Sequence, residues 1–546
     1  MAEQWMAEQF ARIVLPSIVL PISNRRHREE MRSRYNRVGA NRKHPCLAAL
    51  EPRLRMTANF PLLHRFAEPQ SAPTVEQAFL AFEQEKGLLL LHSGGQHDNA
   101  ERTLGRYSFL MADPFDSIVA NEADTNSTVL AQVKHLLEKW KTPQSPDLPP
   151  MQGGIAGLFS YELNSAFEKV PPAKHNPFPV PALVLGLYDC VIAWDHQEQT
   201  CTIISQGFPE TDAVKRKQKA KERIAWCLET LERTRGDNGS SPNDARSAPD
   251  NSSAQHAVSG PEGLTSNFSK SQYVAAVKRC VDYVYAGDVF QINLAQQLRL
   301  PSNCSSQELF LRLCECNPAP FSGYFDFDVP GFQPTQIISA SPERLVSVRD
   351  RLVETRPIKG TRPRTGQPMV DIHAREDLLS SVKDAAENTM IVDLMRNDLS
   401  RVCDDDSVVV PQLCKLEEYA SVLHLVSSVE GRLRPECDLA DLIAAVFPGG
   451  SITGAPKVRA MEIIAQLEPD VRGAYCGSMG YLGFDGTADL NILIRTVTAQ
   501  QGWWQIPVGG GIVSQSSPEA EYDETWTKAA GMLRAASMKH REESPS

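Results

Sequence analysis

Residues 478–513 read SMGYLGFDGTADLNILIRTVTAQQGWWQIPVGGGIV. Short apolar runs broken by Asp485-Gly486 and Gln501-Gly502 are the pattern of successive hairpins, because glycine supplies the positive φ that tight turns need. Such a meander runs back and forth without crossover helices. Working outward, a helix is predicted over 518–539, with Ser517 as N-cap and Pro518 at the first helical position. Upstream, residues 438–447 read as a helix stopped by Pro448-Gly449-Gly450, and 374–400 as one long helix. Residues 335–348 and 350–356 read as two strands, 289–299 as another, and 270–286 as a helix ended by Gly287. In the first half, 86–95, 153–161 and 182–194 read as strands, the first ending in a glycine turn, and 212–233 as a charged amphipathic helix. Helices and hairpins without regular strand–helix–strand units predict an α+β fold.

At 546 residues the chain exceeds one ordinary small domain, and suits one two-lobed unit of about 450 residues with poorly ordered additions. A net charge of -11 argues against general nucleic-acid binding, and any anionic substrate would need a locally positive pocket. The 12 cysteines are scattered, with no pairs at zinc-site spacing, and read as reduced thiols of a cytoplasmic protein. No apolar run reaches membrane-spanning length. Residues 13–22 (IVLPSIVLPI) are interrupted by two prolines and do not read as a signal peptide. Residues 1–56 read as a disordered extension, with a nucleic-acid-binding arm over the arginine-rich part as the alternative. Residues 57–233 form the first part of the folded unit and 268–540 the second. Between them, 234–267 is dominated by Gly, Ser, Asn, Asp and Pro and reads as a flexible insert.

Several residues could carry chemistry. Lys359 has Arg356, Arg362 and Arg364 within five residues, and like charges favour its free amine, a nucleophile. The same run reads alone as a basic surface loop. Asp384 with Glu387, and Glu521 with Glu524 and Lys528, share helix faces; brought together, the carboxylates make an oxygen-rich magnesium site, and apart they are solvated faces. Residues 448–457 (PGGSITGAPK) offer backbone amides to an anion, but Pro456 before Lys457 departs from a phosphate loop, so a carboxylate cradle or a plain turn remains. Arg495, read as mid-strand among apolar residues, needs a protein or substrate carboxylate as partner. His424 in a β-like run is a core histidine or a general acid.

Taken in order, these segments resemble the chorismate-utilising enzymes, among them the anthranilate, aminodeoxychorismate, isochorismate and salicylate synthases. The resemblance is dense over 265–537 and looser over 75–210. It rests on Phe290 to Leu294, Ser341-Pro342-Glu343-Arg344-Leu345, the Lys359 loop, Ala386 to Asn388 through Leu399, His424, Thr453 to Lys457, Arg495, and Glu521 to Lys528. It implies two packed β-sheets flanked by helices. It also implies roles. Glu387 and Glu524 would hold Mg2+, with Glu521 and Asp384 close by. Thr453 and Gly454 would contact the ring carboxylate, and Arg495 and Gly511 the enolpyruvyl carboxylate. His424 would protonate the leaving hydroxyl, and Lys457 and Lys528 would balance the acidic metal site. Gln291 stands where the water-adding members carry a lysine. Lys359 stands where the anthranilate-type loop carries alanine, which is similar to the aminodeoxychorismate synthases. The resemblance thus implies a lysine adduct at C2, ammonia attack at C4, and 4-amino-4-deoxychorismate for p-aminobenzoate and folate synthesis. Ammonia would come from a glutaminase partner. Anthranilate synthesis is the competing activity, and a silent scaffold the competing class. His92 replaces the glutamate of the usual tryptophan-inhibited pattern before Ser93, which argues against tryptophan feedback.

Overall fold

The computed structural model describes residues 60–538 apart from 68, 94–103, 122–127, 234–252 and 420–421. Residues 1–56, the glycine turn at 94–95 and the first part of the insert lie outside the described residues.

Two antiparallel sheets dominate. The first runs in the order Leu62–Arg65, Thr200–Ser205, Cys190–Asp195, Tyr107–Met111, Leu89–His92, Phe321–Phe327, Thr335–Ser341, Thr496–Gln500, Trp503–Ile512, Gln291–Pro301, Thr265–Ser266 and His256–Ala257. The second runs Ile358–Pro363, Val422–Arg432, Leu352–Arg356, Arg344–Arg349, Ala488–Asn491, Ser478–Gly483, Gly154–Phe159, Leu183–Tyr188 and Asp116–Ala120. Both parts of the chain build both sheets: Leu89–His92 pairs with Phe321–Phe327, and Gly154–Phe159 with Ser478–Gly483. The end of segment 234–267 is not loose, since Thr265–Ser266 and His256–Ala257 extend the first sheet beyond Gln291–Pro301.

Alternating apolar residues explain the packing. Leu89, Phe109, Leu158, Val184, Ile337 and Met479 share one core drawn from both sheets. The other face of the first sheet carries helices Val75–Ala81, Ala213–Arg233, Ser306–Cys316 and Pro518–Ser537. Thr128–Lys139, Val382–Ser400 and Leu439–Val446 cover the second. The described cysteines are all free thiols.

Three expectations are corrected. The stretch 335–348 is two strands, because Pro342 has no N–H for a ladder and the chain changes sheets there. The meander also changes sheets, between Asn491 and Thr496, so Arg495 is not mid-strand; it sits in the crossover at φ 53. The two crossovers are tied together: Ile492 N donates to Glu343 O at 3.0 Å, Ala340 N to Arg495 O at 3.1 Å, and Ser341 Oγ to Ile492 O. Finally, 374–400 is two helices, Pro368–Ser380 and Val382–Ser400. They break at Ser381, whose hydroxyl accepts from Asp384 N and caps the second.

Gly454 lies at φ 143 against strand Gln291–Pro301, where a Cβ would stand 2.1 Å from the Gln291 carbonyl oxygen and 2.9 Å from Ala460 Cβ. No side chain fits there without backbone movement. Gly454→Ala is expected to cost about 3 kcal/mol through strain and overpacking, read as a lowered thermal midpoint.

Candidate active site

Strand Ile358–Pro363 lies along Val422–Arg432, with Lys359 opposite Leu425. The register slips at Gly360 (φ 73), so Thr361 faces His424. Lys359 is partly buried and its Nζ donates to Ser451 O at 3.1 Å. The three neighbouring arginines do not reach it. Arg356 pairs with Glu354 and Glu417, Arg362 with Asp377 and Asp384, and Arg364 with the Tyr419 carbonyl. The lysine's pKa is nevertheless lowered. The main cause is burial, opposed by Glu387 and Glu343 and reinforced by Lys528. The expected direction holds and its expected cause does not.

Glu343, in the sheet crossover, is the functional candidate that sequence reasoning missed. It is 4% exposed, and its carboxyl lies beside Lys359, the Ser451 hydroxyl and the Ile358 N–H. Burial raises its pKa, opposed by Lys359. The signal was its place between Pro342 and Arg344, 16 residues before Lys359, but only the crossover brings the two together.

The acidic residues converge as expected, with one exception. Glu387, from helix Val382–Ser400, and Glu521, from helix Pro518–Ser537, lie 3.8 and 3.9 Å from the same Lys383 Nζ. Lys528 Nζ lies 2.8 Å from Glu524 and donates to Gly509 O at 2.8 Å. Gly510 makes room for them, since a Cβ there would be 3.3 Å from Lys528 Nζ, 3.5 Å from Glu521 and 3.6 Å from Glu524. Burial raises the pKa of Glu387 and Glu521; at Glu524 burial pushes the same way, but Lys528, Lys383 and Lys359 together leave it lowered. The Glu387 Oε1 is buried and has no hydrogen bond among the described residues. Three carboxylates with an open oxygen suit a hard cation such as magnesium, although among the described residues no three acids already stand as a metal cage. Asp384 is the exception, turned to Arg362 at 3.3 Å.

The carboxylate-binding candidates lie in the same region. Thr453 is fully buried and its Oγ1 donates to Gly449 O at 3.0 Å. A Cβ on Gly511 would meet Gln291 Nε2 at 2.8 Å, and both amide atoms of the buried Gln291 lack hydrogen bonds among the described residues. Arg495 forms no ion pair among the described residues. Burial lowers its pKa, while Tyr475 and Glu524 oppose. A partly buried guanidinium with no ion pair among the described residues calls for an anion. His424 Nδ1 lies 2.9 Å from Thr361 Oγ1, and burial, with Arg495 adding, lowers its pKa to about 4. Lys457 does not join the site: its Nζ is 2.7 Å from Asp398 and 3.2 Å from Val446 O, so it neutralises a buried aspartate instead of the glutamates. His92 is also committed, with Nδ1 3.0 Å from Ser108 Oγ.

Comparison with known proteins agrees with this geometry. Residues 89–534 match the family model described as chorismate binding enzyme. The chain is 38% identical over 458 residues to aminodeoxychorismate synthase component 1 of Salmonella typhimurium (strain LT2), covering 82% of this chain and 92% of that relative. It is 35% identical over 435 residues to anthranilate synthase component 1 of Thermus thermophilus, covering 79% and 87%. Anthranilate synthase component I from Streptococcus pneumoniae matches in structure with a TM-score of 0.65 at 28% identity, over 83% of this chain and 97% of that one. No helix among the described residues is long and apolar enough to cross a membrane.

Proposed function

The chain belongs to the chorismate binding enzyme family, and on that premise we propose that it joins ammonia to chorismate to give 4-amino-4-deoxychorismate and water. The observation that carries this reading is Lys359, a partly buried amine held by the Ser451 carbonyl beside Glu343 and Glu387. The relatives' name, component 1, supports a second component, and we assign it the supply of ammonia from glutamine. The product would serve p-aminobenzoate and folate synthesis.

In this reading Lys359 attacks C2 as the free amine. The N–C2 bond forms, the two ring double bonds shift together, and the C4–O bond breaks, releasing hydroxide. Glu343 takes the proton released by the lysine nitrogen. Ammonia then bonds to C4 and gives one proton to that hydroxide, completing the water, while the double bonds shift back, the C2–N bond breaks, and Lys359 leaves with a proton returned by Glu343. His424, with a pKa of about 4, is neutral at neutral pH. It therefore serves as a hydrogen-bond donor to the departing hydroxyl, and not as the charged acid that the resemblance implies. Arg495 and the Gly511 backbone orient the enolpyruvyl carboxylate, and Gly454 with the Thr453 hydroxyl, turned from the Gly449 carbonyl, the ring carboxylate. Glu387, Glu521 and Glu524 would hold magnesium, which when bound supplies Lewis-acid charge to the substrate. Lys528 offsets the acid there, so a chain of net charge -11 can still accept a dianion.

Product analysis tests the assignment. Purified chain with chorismate, magnesium and ammonium at alkaline pH is expected to yield 4-amino-4-deoxychorismate, converted to p-aminobenzoate by an added lyase. Anthranilate as the product would overturn it in favour of the ortho-aminating reaction.

A further inference from the structure

Besides Lys359, two lysines face the three glutamates, and they are held differently. Lys528 makes two contacts of 2.8 Å, to Glu524 and to the Gly509 carbonyl. Lys383 makes none at hydrogen-bond distance among the described residues; its ammonium sits 3.8 Å from Glu387 and 3.9 Å from Glu521, with the side chain 43% exposed. A cation held loosely by two carboxylates, one on its own helix and one on another, with a path to solvent, stands where a bound ion would neutralise the same charges.

We infer that Lys383 is a built-in stand-in for the divalent cation: its ammonium bridges Glu387 and Glu521 in the metal-free protein and swings to solvent when the ion enters. This rests on the magnesium reading above. Without such a bridge, the largely buried carboxylates of Glu387 and Glu521 repel each other. With it, the two acids can stand close before metal arrives. Magnesium binds carboxylate oxygens at about 2.0–2.1 Å, far closer than the lysine does, so a loosely held ammonium is displaced at small cost. Because the ammonium is 43% exposed and stands off both carboxylates, that cost is modest.

Mn2+ titration of the full chain by electron paramagnetic resonance, without chorismate, tests this. Lys383→Met is expected to bind Mn2+ about three- to tenfold tighter than wild type, and Lys383→Arg to stay near wild type. Equal or weaker binding by Lys383→Met, with binding weakened in Glu387→Gln, would overturn the stand-in while leaving the metal site intact. Unchanged binding in Glu387→Gln would overturn both.

Discussion

Lys359→Ala is expected to lower the rate of amination by about two to four orders of magnitude, with a far smaller change in KM for chorismate. The lysine donates to a backbone carbonyl and makes no ion pair among the described residues, and the Glu343 carboxyl left without it can take up a proton, so the fold is expected to survive its removal. What is lost is the nucleophile. Without ammonia, wild-type chain mixed with chorismate and magnesium should gain the mass of chorismate less water, and the variant should not. The pH profile carries the sign. Burial lowers the lysine's pKa, so the amine fraction rises with pH and levels off below the ordinary lysine value. Plotted against free ammonia, wild-type kcat/KM should follow that rise, and Lys359→Ala should lose it. Amination by the variant at the wild-type rate would remove the lysine from the mechanism.

That lysine shows how far the sequence carries. Its position in the Pro357-Ile358-Lys359-Gly360 loop is legible, as are the glutamates on helices Val382–Ser400 and Pro518–Ser537, because helical spacing alone puts them on shared faces. Hairpins at Asp485-Gly486 and Gln501-Gly502 are equally local. Hidden from local reading is the partition between sheets. Alternation predicts a strand but not which sheet it joins, so 335–348 and 488–500 read as continuous where the structure switches layers. Those switches carry Glu343 and Arg495, the residues proposed to exchange a proton with Lys359 and to hold the substrate carboxylate. Charge in sequence also misled: three arginines near Lys359 each find their own carboxylate or carbonyl, and burial, a tertiary property, shifts the lysine instead. Lys457 failed for a similar reason, since its partner Asp398 lies on another helix.

Glu343→Gln should likewise cut kcat by about 10²–10⁴-fold, because it removes the group placed to exchange a proton with Lys359. The amide has the carboxylate's shape and can still accept from the Ile358 N–H, so the fold is expected to survive. Two effects then separate catalysis from packing. Glu343 favours the charged form of Lys359, so without it the lysine's pKa should fall further and the alkaline rise of the profile should move to lower pH. Conversely, Lys359 holds down the carboxyl that burial pushes up, so Lys359→Ala should raise the pKa of Glu343. The ionised carboxylate is the form that accepts the proton, so wild-type activity should fall as pH drops through the raised value, and that acidic limb should vanish in Glu343→Gln. The two limbs belong to the pair, and the double variant should be little worse than either single one, since each disables the same proton exchange. Additive losses, or a profile that keeps its acidic limb in Glu343→Gln, would show that Glu343 only shapes the pocket.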